Sequence, residues 1–390
     1  MLNQEELRRI YWENRSRKVA MFHPLATKDD DAKRKNKEEP DLLRSPFSLD
    51  RDRILYSGAY RRYHGKTQVF SFTNMFDEEM TNRNIHTTYV SQISRTIGKN
   101  LGLNQEVIEA AALGHDLGHT PFGHDGETAL SSICKSYGIG AFHHNIESLH
   151  IVDHISRKGR GMNLTFQVRD GIISHDGEVH NTKLEPKWDK TEEDIQNYIQ
   201  KRGNDEYVPW MPATLEGAVV RISDTIAYIG QDIEDAIRFN ILKRSEIPKD
   251  CANYLGYKNS EIVDTLVKSV ILNSYEKDYI SFDKETSHYL LELKKFNYVR
   301  IYTNKDVKRI KDVIFRSMSI LFKFYMEDLE KQDKTSKIYH HFLDYKDESY
   351  LNNYSNAEKV RDFIATMTDR YFNEQVKNYL LPAAIITRSY

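Results

Sequence analysis

The residues of this chain best suited to chemistry are the adjacent His115 and Asp116, in the segment AALGHDLGHTPFGHDGE. An imidazole and a carboxylate together suit a divalent cation of borderline hardness. One His-Asp dipeptide is weak evidence, but His86 upstream and Asp224 downstream each lie in a helix-like segment. Two His and two Asp would hold a cation and leave positions for water and substrate. The order H…HD…D therefore predicts a catalytic metal site that acidifies water and polarises phosphate oxygens.

Further histidines follow the pair, namely His119, His124, His143 and His144. If one helix runs through the pair, His119 lies one turn beyond His115 and faces the same way. Glu127 follows His124 by three residues, a helical spacing at which the carboxylate would orient the imidazole. Imidazolium groups pair with phosphate or protonate a leaving oxygen. We therefore expect an anionic, phosphate-bearing substrate, with packing as the alternative role for some of these histidines.

The segment 214–239 predicts a helix with a polar stripe, formed at helical spacing by Asp224, Tyr228, Asp232 and Asp235. A carboxylate stripe is usually a solvated helix face. Here it is flanked by apolar residues and carries an aromatic ring, so the wall of a pocket is at least as good an interpretation.

Basic residues alternate with tyrosines from Arg51 to Gln68, and Arg53 lies at the start of this stretch. Guanidinium and ammonium groups of this kind can grip phosphates and a sugar. An ordinary charged helix face is an equally good interpretation of this pattern.

The elements that must position these residues are mostly helices, since the chain has only 18 Gly and 9 Pro in 390 residues. Apolar residues recur every four positions over 84–100 and predict a helix that Gly102 ends. Asn104 is expected to cap the next helix, which runs through the His-Asp pair. A further helix is expected to start at Thr120, with Pro121 in its first turn.

The sequence divides into three parts. Residues 1–44 read as an N-terminal extension whose charged segment 28–41 is expected to be mobile. Residues 45–245 form the expected catalytic core, in which 176–212 breaks the periodic pattern and reads as a surface insertion with a short helix. Residues 246–390 are expected to be a C-terminal helical region that packs on the core.

Composition excludes several classes of protein. The net charge of −2 gives no basic field for nucleic acid. Cys134 and Cys251 cannot form a disulfide framework and lack zinc-ligand spacing, which favours a reducing cytoplasm. The N-terminus has no apolar signal core, and no apolar run is long enough to span a bilayer. We therefore expect a soluble cytoplasmic protein.

Seven segments together resemble the HD-domain deoxynucleoside triphosphate triphosphohydrolases, the dGTPase-like family. They are DRDRILYSGAYRRYHGKTQVF at 50–70, NRNIH at 82–86, GHDLGHTPFGHDGE at 114–127, FHHNIESLHIV at 142–152, LTFQVRDGIISHDGE at 164–178, TLEGAVVRISDTIAYIGQDIEDA at 214–236 and VRDFIATMTDRY at 360–371. The resemblance spans about 45–240 and returns near the C-terminus. It implies a mainly α fold, with an HD-domain helical bundle core, additional C-terminal helices and a surface insertion.

The resemblance also implies a role for each matching residue. The metal ligands would be His86, His115, Asp116 and Asp224. Arg83 would grip the α-phosphate, and Gln68, Tyr228 and Asp232 would contact the deoxyribose, with Tyr228 where a 2′-hydroxyl would otherwise lie. The catalytic group would be His119, His124, Glu127 and His144, with His144 protonating the leaving 5′-oxygen. The chain departs from the family at His143, where an acidic residue is usual, and mildly at Tyr60.

The implied reaction splits a dNTP, with dGTP favoured, into deoxynucleoside and inorganic triphosphate. The implied cofactor is a divalent metal (Mn, Mg, Fe, Zn or Co), with a further Mg carried by the triphosphate. A homo-oligomer (tetramer or hexamer) and a dNTP or single-stranded nucleic-acid effector are the expected partners. One alternative is another HD-type phosphohydrolase, acting on a monophosphate, cyclic or alarmone nucleotide. The other is a non-catalytic nucleotide or single-stranded nucleic-acid sensor.

Overall fold

The computed structural model describes residues 3–69, 81–175, 180–304 and 310–380, and these ranges are mostly helical, which confirms the mainly α fold class. The helices up to residue 203 are α1 (Gln4–Val19), α2 (Pro46–Leu55), α3 (Gly58–Arg62), α4 (Arg83–Asn100), α5 (Gln105–Gly114), α6 (Gly123–Ser136), α7 (His144–His150), α8 (Ser156–Gly159), α9 (Phe166–Ile173) and α10 (Glu192–Gly203). The later helices are α11 (Leu215–Ile229), α12 (Gln231–Arg238), α13 (Lys249–Leu255), α14 (Asn259–Ser274), α15 (Lys284–Asn297), α16 (Lys311–Glu330), α17 (Lys337–His341), α18 (Glu348–Asn353), α19 (Asn356–Ala365) and α20 (Asp369–Leu380). Two short strands, β1 (Lys183–Leu184) and β2 (Ile280–Ser281), pair antiparallel with Leu184 opposite Ile280.

Helix α5 lies between two clusters of buried apolar side chains. Leu113 packs in a cluster with residues of α2, α6, α9 and the C-terminal helices α16 and α19. Ile108 and Ala112 pack in a second cluster, with residues of α4, α11 and α13 to α15. Because both clusters fix α5, the residues that follow its last turn have a well-defined position.

The predicted helix over 84–100 is confirmed as α4, and Gly102 follows it with a positive φ of 69°. Asn104 is confirmed as the cap of α5, since its side chain accepts a hydrogen bond from the Glu106 amide. The expectation that α5 runs through the His-Asp pair is wrong, because the helix ends at Gly114. His115 and His119 therefore do not lie on successive turns of one helix.

The predicted helix start at Thr120 is also wrong. Helix α6 begins at Gly123 and is preceded by Phe122, whose φ of 66° lies in the left-handed region. The Thr120 hydroxyl donates to the carbonyl of Gly123 instead of capping a helix. A turn over 115–122 thus separates α5 from α6.

The charged segment 28–41, which we expected to be mobile, is attached to the core. Arg34 pairs with buried Asp50 at 2.6 Å, and the Phe166 amide donates to the carbonyl of Lys33. Asp50 also accepts two hydrogen bonds from Thr165. Three of the charged residues that predicted mobility, Arg34, Lys35 and Glu38, form ion pairs with residues beyond the segment.

The stretch 176–212 contains the expected short helix, α10, and its residues 176–179 lie outside the described residues. The predicted helix over 214–239 is present as α11 and α12, which meet at Gly230. Its polar stripe is buried at Asp224, Asp232 and Asp235, so these carboxylates line the interior. Among the described residues no helix is both long and apolar enough to cross a membrane.

Candidate active site

The four predicted metal ligands lie together and are all buried. His86 comes from α4, His115 and Asp116 follow α5, and Asp224 comes from α11. The Nε2 atom of His86 lies 3.0 Å from Oδ1 of Asp224, and Nε2 of His115 lies 3.4 Å from Oδ2 of Asp116. Three helices packed around the second apolar cluster therefore bring two imidazoles and two carboxylates to one point.

The donor atoms of this group fit a divalent cation. One ligand atom from each of His86, His115 and Asp116 lies within 4.8 Å of the others. The Nε2 atom of His115 is buried without a hydrogen-bond partner, while its Nδ1 faces the carbonyl of Ala112 at 2.7 Å. Although burial opposes it, the carboxylates of Asp116 and Asp224 raise the pKa of His115 to about 9. A cation would satisfy the same two carboxylates in place of that proton.

Asp116 presents its two oxygens to different neighbours. Oδ2 contacts the Nη1 atom of Arg83, a residue that also donates to the carbonyl of Thr67. Oδ1 lies 3.2 Å from Nε2 of His119 and 3.6 Å from Nε2 of His175. Asp116 therefore lies next to a second group of imidazoles as well as the His86–His115 pair.

That second group contains the predicted catalytic histidines. The rings of His119 and His144 are stacked with centroids 4.0 Å apart, and the ring of His124 lies 5.1 Å from that of His119. Both oxygens of Glu127 lie 2.9 Å from Nδ1 of His144, and Oε2 lies 3.1 Å from Nδ1 of His124. The predicted pairing of Glu127 with His124 is present, and Glu127 contacts His144 as well.

Burial and neighbouring charges shift the pKa values of His119 and His144 in opposite directions. Burial, Arg83 and His144 hold the pKa of His119 well below its usual range. Although burial opposes it, the Glu127 carboxylate raises the pKa of His144. At neutral pH His119 is therefore neutral, and His144 is the better proton donor.

Of the predicted sugar-contacting residues, Gln68 contacts Arg83, and Asp232 lies within reach of the charges of Arg83 and His124. The carbonyl of Gln68 accepts a long contact of 3.5 Å from Arg83, and its side-chain oxygen is buried without a hydrogen-bond partner. Asp232 is buried and accepts a hydrogen bond from Tyr302 at 2.5 Å. Burial, with the nearby Asp235, raises the pKa of Asp232 to about 7. Half-buried Tyr228 lies one helical turn before Asp232.

Arg53 and His143, which the sequence singled out, make their side-chain contacts with residues outside this site. The guanidinium of Arg53 donates to the carbonyls of Met162 and Asn163 and pairs with Glu38 at 2.6 Å. The ring of His143 contacts Arg202, at its side chain and its carbonyl. Neither set of contacts includes a residue of the metal or histidine groups.

Sequence reasoning missed four residues that contact this site. They are Lys66, His175, Tyr302 and Asp369. His175 had a visible signal, because an apolar helix end followed by His175-Asp176 repeats the pattern around His115-Asp116. Lys66 lay within the basic stretch that could grip phosphates, whereas it is buried and donates to the carbonyl of His119. Tyr302 and Asp369 come from distant parts of the chain, and although Asp369 lies in the segment 360–371 that carries the resemblance, no pattern around either residue assigns it to this site.

Comparison with known proteins identifies the architecture. Residues 83–229 match the HD domain, and residues 280–378 match the phosphohydrolase-associated domain. The first match lies inside the predicted core and the second inside the predicted C-terminal region. The exact division near residue 245 stays a prediction.

Relatives cover nearly the whole chain. A deoxyguanosinetriphosphate triphosphohydrolase-like protein of Caldanaerobacter subterraneus subsp. tengcongensis is 35% identical, with 93% of each chain covered. Proteins of the same description from Clostridium tetani and Clostridium perfringens strain 13 are each 34% identical, covering 93% and 95% of this chain and 94% and 95% of their own. A solved hypothetical protein from Aquifex aeolicus, with a TM-score of 0.37 and 18% identity over 85% of this chain and 71% of its own, is too distant to bear on the site.

The relatives and the group of two His and two Asp that α4, α5 and α11 bring together indicate the same family. The chain therefore belongs to the deoxyguanosinetriphosphate triphosphohydrolase-like family, whose members are metal-dependent HD-domain phosphohydrolases.

Proposed function

We propose that this protein hydrolyses deoxynucleoside triphosphates, with dGTP preferred, to the deoxynucleoside and inorganic triphosphate. The observation that carries the proposal is the placement of the Glu127–His144 pair beside Asp116, through the stacked ring of His119. In this arrangement, His144 with its Glu127 partner would supply a proton donor next to the proposed metal ligands. The relatives are named deoxyguanosinetriphosphate triphosphohydrolase-like proteins, which supports the same activity.

The divalent metal (Mn, Mg, Fe, Zn or Co) would be held by His86, His115, Asp116 and Asp224. When bound, it would polarise phosphate oxygens and acidify water. A His and Asp ligand set accepts each of these metals.

The remaining charges of the site would bind the phosphates. Arg83 is buried and oriented by the carbonyl of Thr67, so it would meet the α-phosphate with a fixed guanidinium. His124 is exposed at the edge of the site and would contact the triphosphate, which would bring its own Mg²⁺. Neutral His119 has a single N–H, so a hydrogen bond from it to a phosphate oxygen would replace its contact with Asp116 and would add no charge.

His144 would protonate the departing 5′-oxygen, which otherwise leaves as a costly alkoxide. Its Nδ1 donates to Glu127, so Nε2 is the atom that would deliver the proton. Glu127 would stabilise the protonated ring before transfer and keep its orientation afterwards.

The deoxyribose would be recognised by Gln68, Tyr228 and Asp232. The unpartnered side-chain oxygen of Gln68 would accept from the 3′-hydroxyl. The ring of Tyr228 would occupy the space of a 2′-hydroxyl, and Asp232, held by Tyr302, would bond the sugar. These contacts would favour 2′-deoxy substrates over ribonucleotides.

The experiment that tests this function is chromatography of the products after incubation of each dNTP with Mn²⁺ or Co²⁺. Inorganic triphosphate and deoxynucleoside, with no turnover by a folded Asp116→Ala variant, support the proposal. Release of monophosphate or pyrophosphate, or turnover of a monophosphate or alarmone alone, would assign another HD-type reaction. If the protein turns over none of these nucleotides, the remaining hypothesis is the non-catalytic sensor.

We also propose that the protein is a cytoplasmic homo-oligomer (tetramer or hexamer) with an anionic effector, a dNTP or single-stranded nucleic acid. A cavity of about 540 Å³ beside α3 offers a place for its phosphates. Its lining includes cationic Arg62, Lys158 and Lys346, and none of the described residues that line it is Asp or Glu. Activity with mixed dNTPs, for wild type and Lys158→Ala, tests the effector, and light scattering tests the assembly.

A further inference from the structure

The C-terminal segment 365–372 contacts two loops that carry the site. The Nζ atom of Lys66 donates to the carbonyl of Ala365 at 2.9 Å and also to the carbonyl of His119. The ring of Phe122 packs edge-on against that of Phe372, with centroids 5.2 Å apart. The segment therefore holds residues 65–68 against the turn 119–123.

Asp369, the first residue of α20, makes the most direct of these contacts. Its Oδ2 accepts from the amide of Thr67 at 3.1 Å and from the Thr67 hydroxyl at 2.5 Å. Its Oδ1 accepts from the amide of Phe122 at 3.0 Å. Asp369 is only 3% exposed, so a buried carboxylate has donors from both loops on its two oxygens.

Each loop leads directly into the active site. The carbonyl of Thr67 accepts from Nε of Arg83, whose Nη1 contacts Asp116. Gln68 is the next residue after Thr67. The Asp369 carboxylate thus orients the loop at Thr67. This loop in turn orients Arg83, the arginine proposed to bind the α-phosphate.

The other loop sets the start of α6. Phe122 takes a left-handed conformation that a bulky residue adopts only when its surroundings hold it there. Asp369 bonds the amide of this residue, and Gly123, His124 and Glu127 follow in the first turns of α6. The position of Glu127, and so of His144, therefore depends on the same carboxylate.

We infer that Asp369 is a positioning residue, which fixes Arg83 and the Glu127–His144 pair relative to one another for the reaction. The inference rests on the proposed function, because it assigns those residues their roles. It gives the C-terminal domain a part in catalysis, although none of the proposed substrate contacts comes from residues 365–372.

The variant that tests this inference is Asp369→Asn, which keeps the size of the side chain but turns one acceptor into a donor. One of the two loop amides then faces an NH₂ group and loses its bond. We expect kcat/KM for dGTP to fall about 10- to 100-fold, mostly in kcat, with unchanged metal content. Asp328→Asn is the matched control, because Asp328 accepts from Ser336 and Tyr379, both within the C-terminal region. Unchanged kcat/KM in Asp369→Asn would overturn the inference.

A second measurement needs no turnover. Hydrogen exchange should accelerate at least 10-fold in Asp369→Asn at whichever of the Thr67 and Phe122 amides loses its acceptor, with the rest of the chain protected, and stay unchanged at both amides in Asp328→Asn. Unchanged exchange at both amides would overturn the inference. If wild type released no triphosphate from any dNTP, the proposed function would fail while this exchange result still reported on Asp369.

If Asp369→Asn does not fold, Thr67→Val tests the same contact from the other side. This variant removes the hydroxyl that bonds Asp369 and keeps the shape of the side chain. We expect faster exchange at Phe122 and a smaller loss of kcat, with KM for dGTP nearly unchanged. Wild-type exchange and wild-type kcat in Thr67→Val would overturn the inference.

Discussion

The rings of His119 and His144 lie stacked with their centroids 4.0 Å apart and their planes inclined by 20°. Two imidazolium charges at this separation would repel each other. Of the two rings only that of His144 contacts the Glu127 carboxylate, and Arg83 further disfavours a proton on His119. The stack therefore favours a proton on His144 over one on His119, which supports the proposed role of His144 as the proton donor.

Replacing Glu127 should shift the pH dependence of hydrolysis. The Glu127 carboxylate raises the pKa of His144 against the effect of burial, so Glu127→Gln lowers that pKa. A general acid is lost as the pH rises through its pKa, and the alkaline limb of the kcat profile should move to lower pH. Activity at neutral pH should fall about 10²- to 10⁴-fold in His144→Ala.

The control for this prediction is His143→Gln. His143 is the neighbouring histidine, but its ring contacts Arg202 rather than Glu127. We expect its pH profile to keep the wild-type alkaline limb. An unshifted limb in Glu127→Gln would remove His144 from the role of proton donor.

Metal binding should stabilise the fold, and more so at higher pH. A cation at 100 times its Kd adds about 2.7 kcal/mol to the free energy of unfolding. The pKa of His115 is raised to about 9 by Asp116 and Asp224, against burial, so the metal must displace a proton at neutral pH. Calorimetry with Mn²⁺ should therefore show a larger increase in Tm at pH of about 8.5 than at about 6.5. Asp224→Ala should lose this increase, whereas Asp250→Ala, at an exposed position, should keep it.

The sequence predicted which four residues meet at the candidate metal site but not the backbone that presents them. His86, His115, Asp116 and Asp224 could be found because their types and helical contexts are local signals. The end of α5 at Gly114 had no such signal, since the apolar pattern continues through Leu117.

Contacts between residues far apart in sequence explain the other differences between the sequence predictions and the structure. Thr120 is a good capping residue, yet the start of α6 is fixed by Asp369, 247 residues away from Phe122 in sequence. Charge alone predicted mobility for 28–41, whereas Asp50 gives Arg34 a buried partner. Single-residue propensities do not contain these long-range pairings, which the folded chain alone creates.

The His150–Asp362 pair, which joins α7 to α19, should make stability depend on pH. Nε2 of His150 lies 3.0 Å from Oδ2 of Asp362, whose charge raises the pKa of His150 above 6.5 despite burial. A raised pKa means that this stabilisation is complete below pH 6.5 and is lost as the pH rises through the folded-state value. Arg361 and His150 lower the pKa of Asp362 against burial, so stabilisation also falls as the pH drops below 3.8.

Urea unfolding measures this effect. Between pH of about 6.5 and the folded-state pKa of His150, the wild-type free energy of unfolding should fall relative to His150→Gln, by at most about 1.4 kcal/mol per pH unit. His64→Gln, at an exposed position, should follow the wild type. Parallel curves for wild type and His150→Gln would show that the pair does not contribute.

Gly118 should be indispensable because α7 passes directly over it. A Cβ atom at Gly118 would lie 2.2 Å from the amide nitrogen of Ser148 and 2.4 Å from the carbonyl oxygen of His144. Backbone atoms cannot move aside as a flexible side chain can, so Gly118→Ala must displace α7 and with it the ring of His144. We expect a loss of about 1–3 kcal/mol in the free energy of unfolding and a fall in kcat of about 10²-fold, the cost of a displacement of about 1 Å at a catalytic group.

Gly203→Ala, where a Cβ would meet nothing within 4 Å, is the matched control and should keep wild-type stability and turnover. Wild-type kcat in Gly118→Ala would mean that hydrolysis tolerates a displaced His144, and the proton-donor assignment would have to pass to another residue.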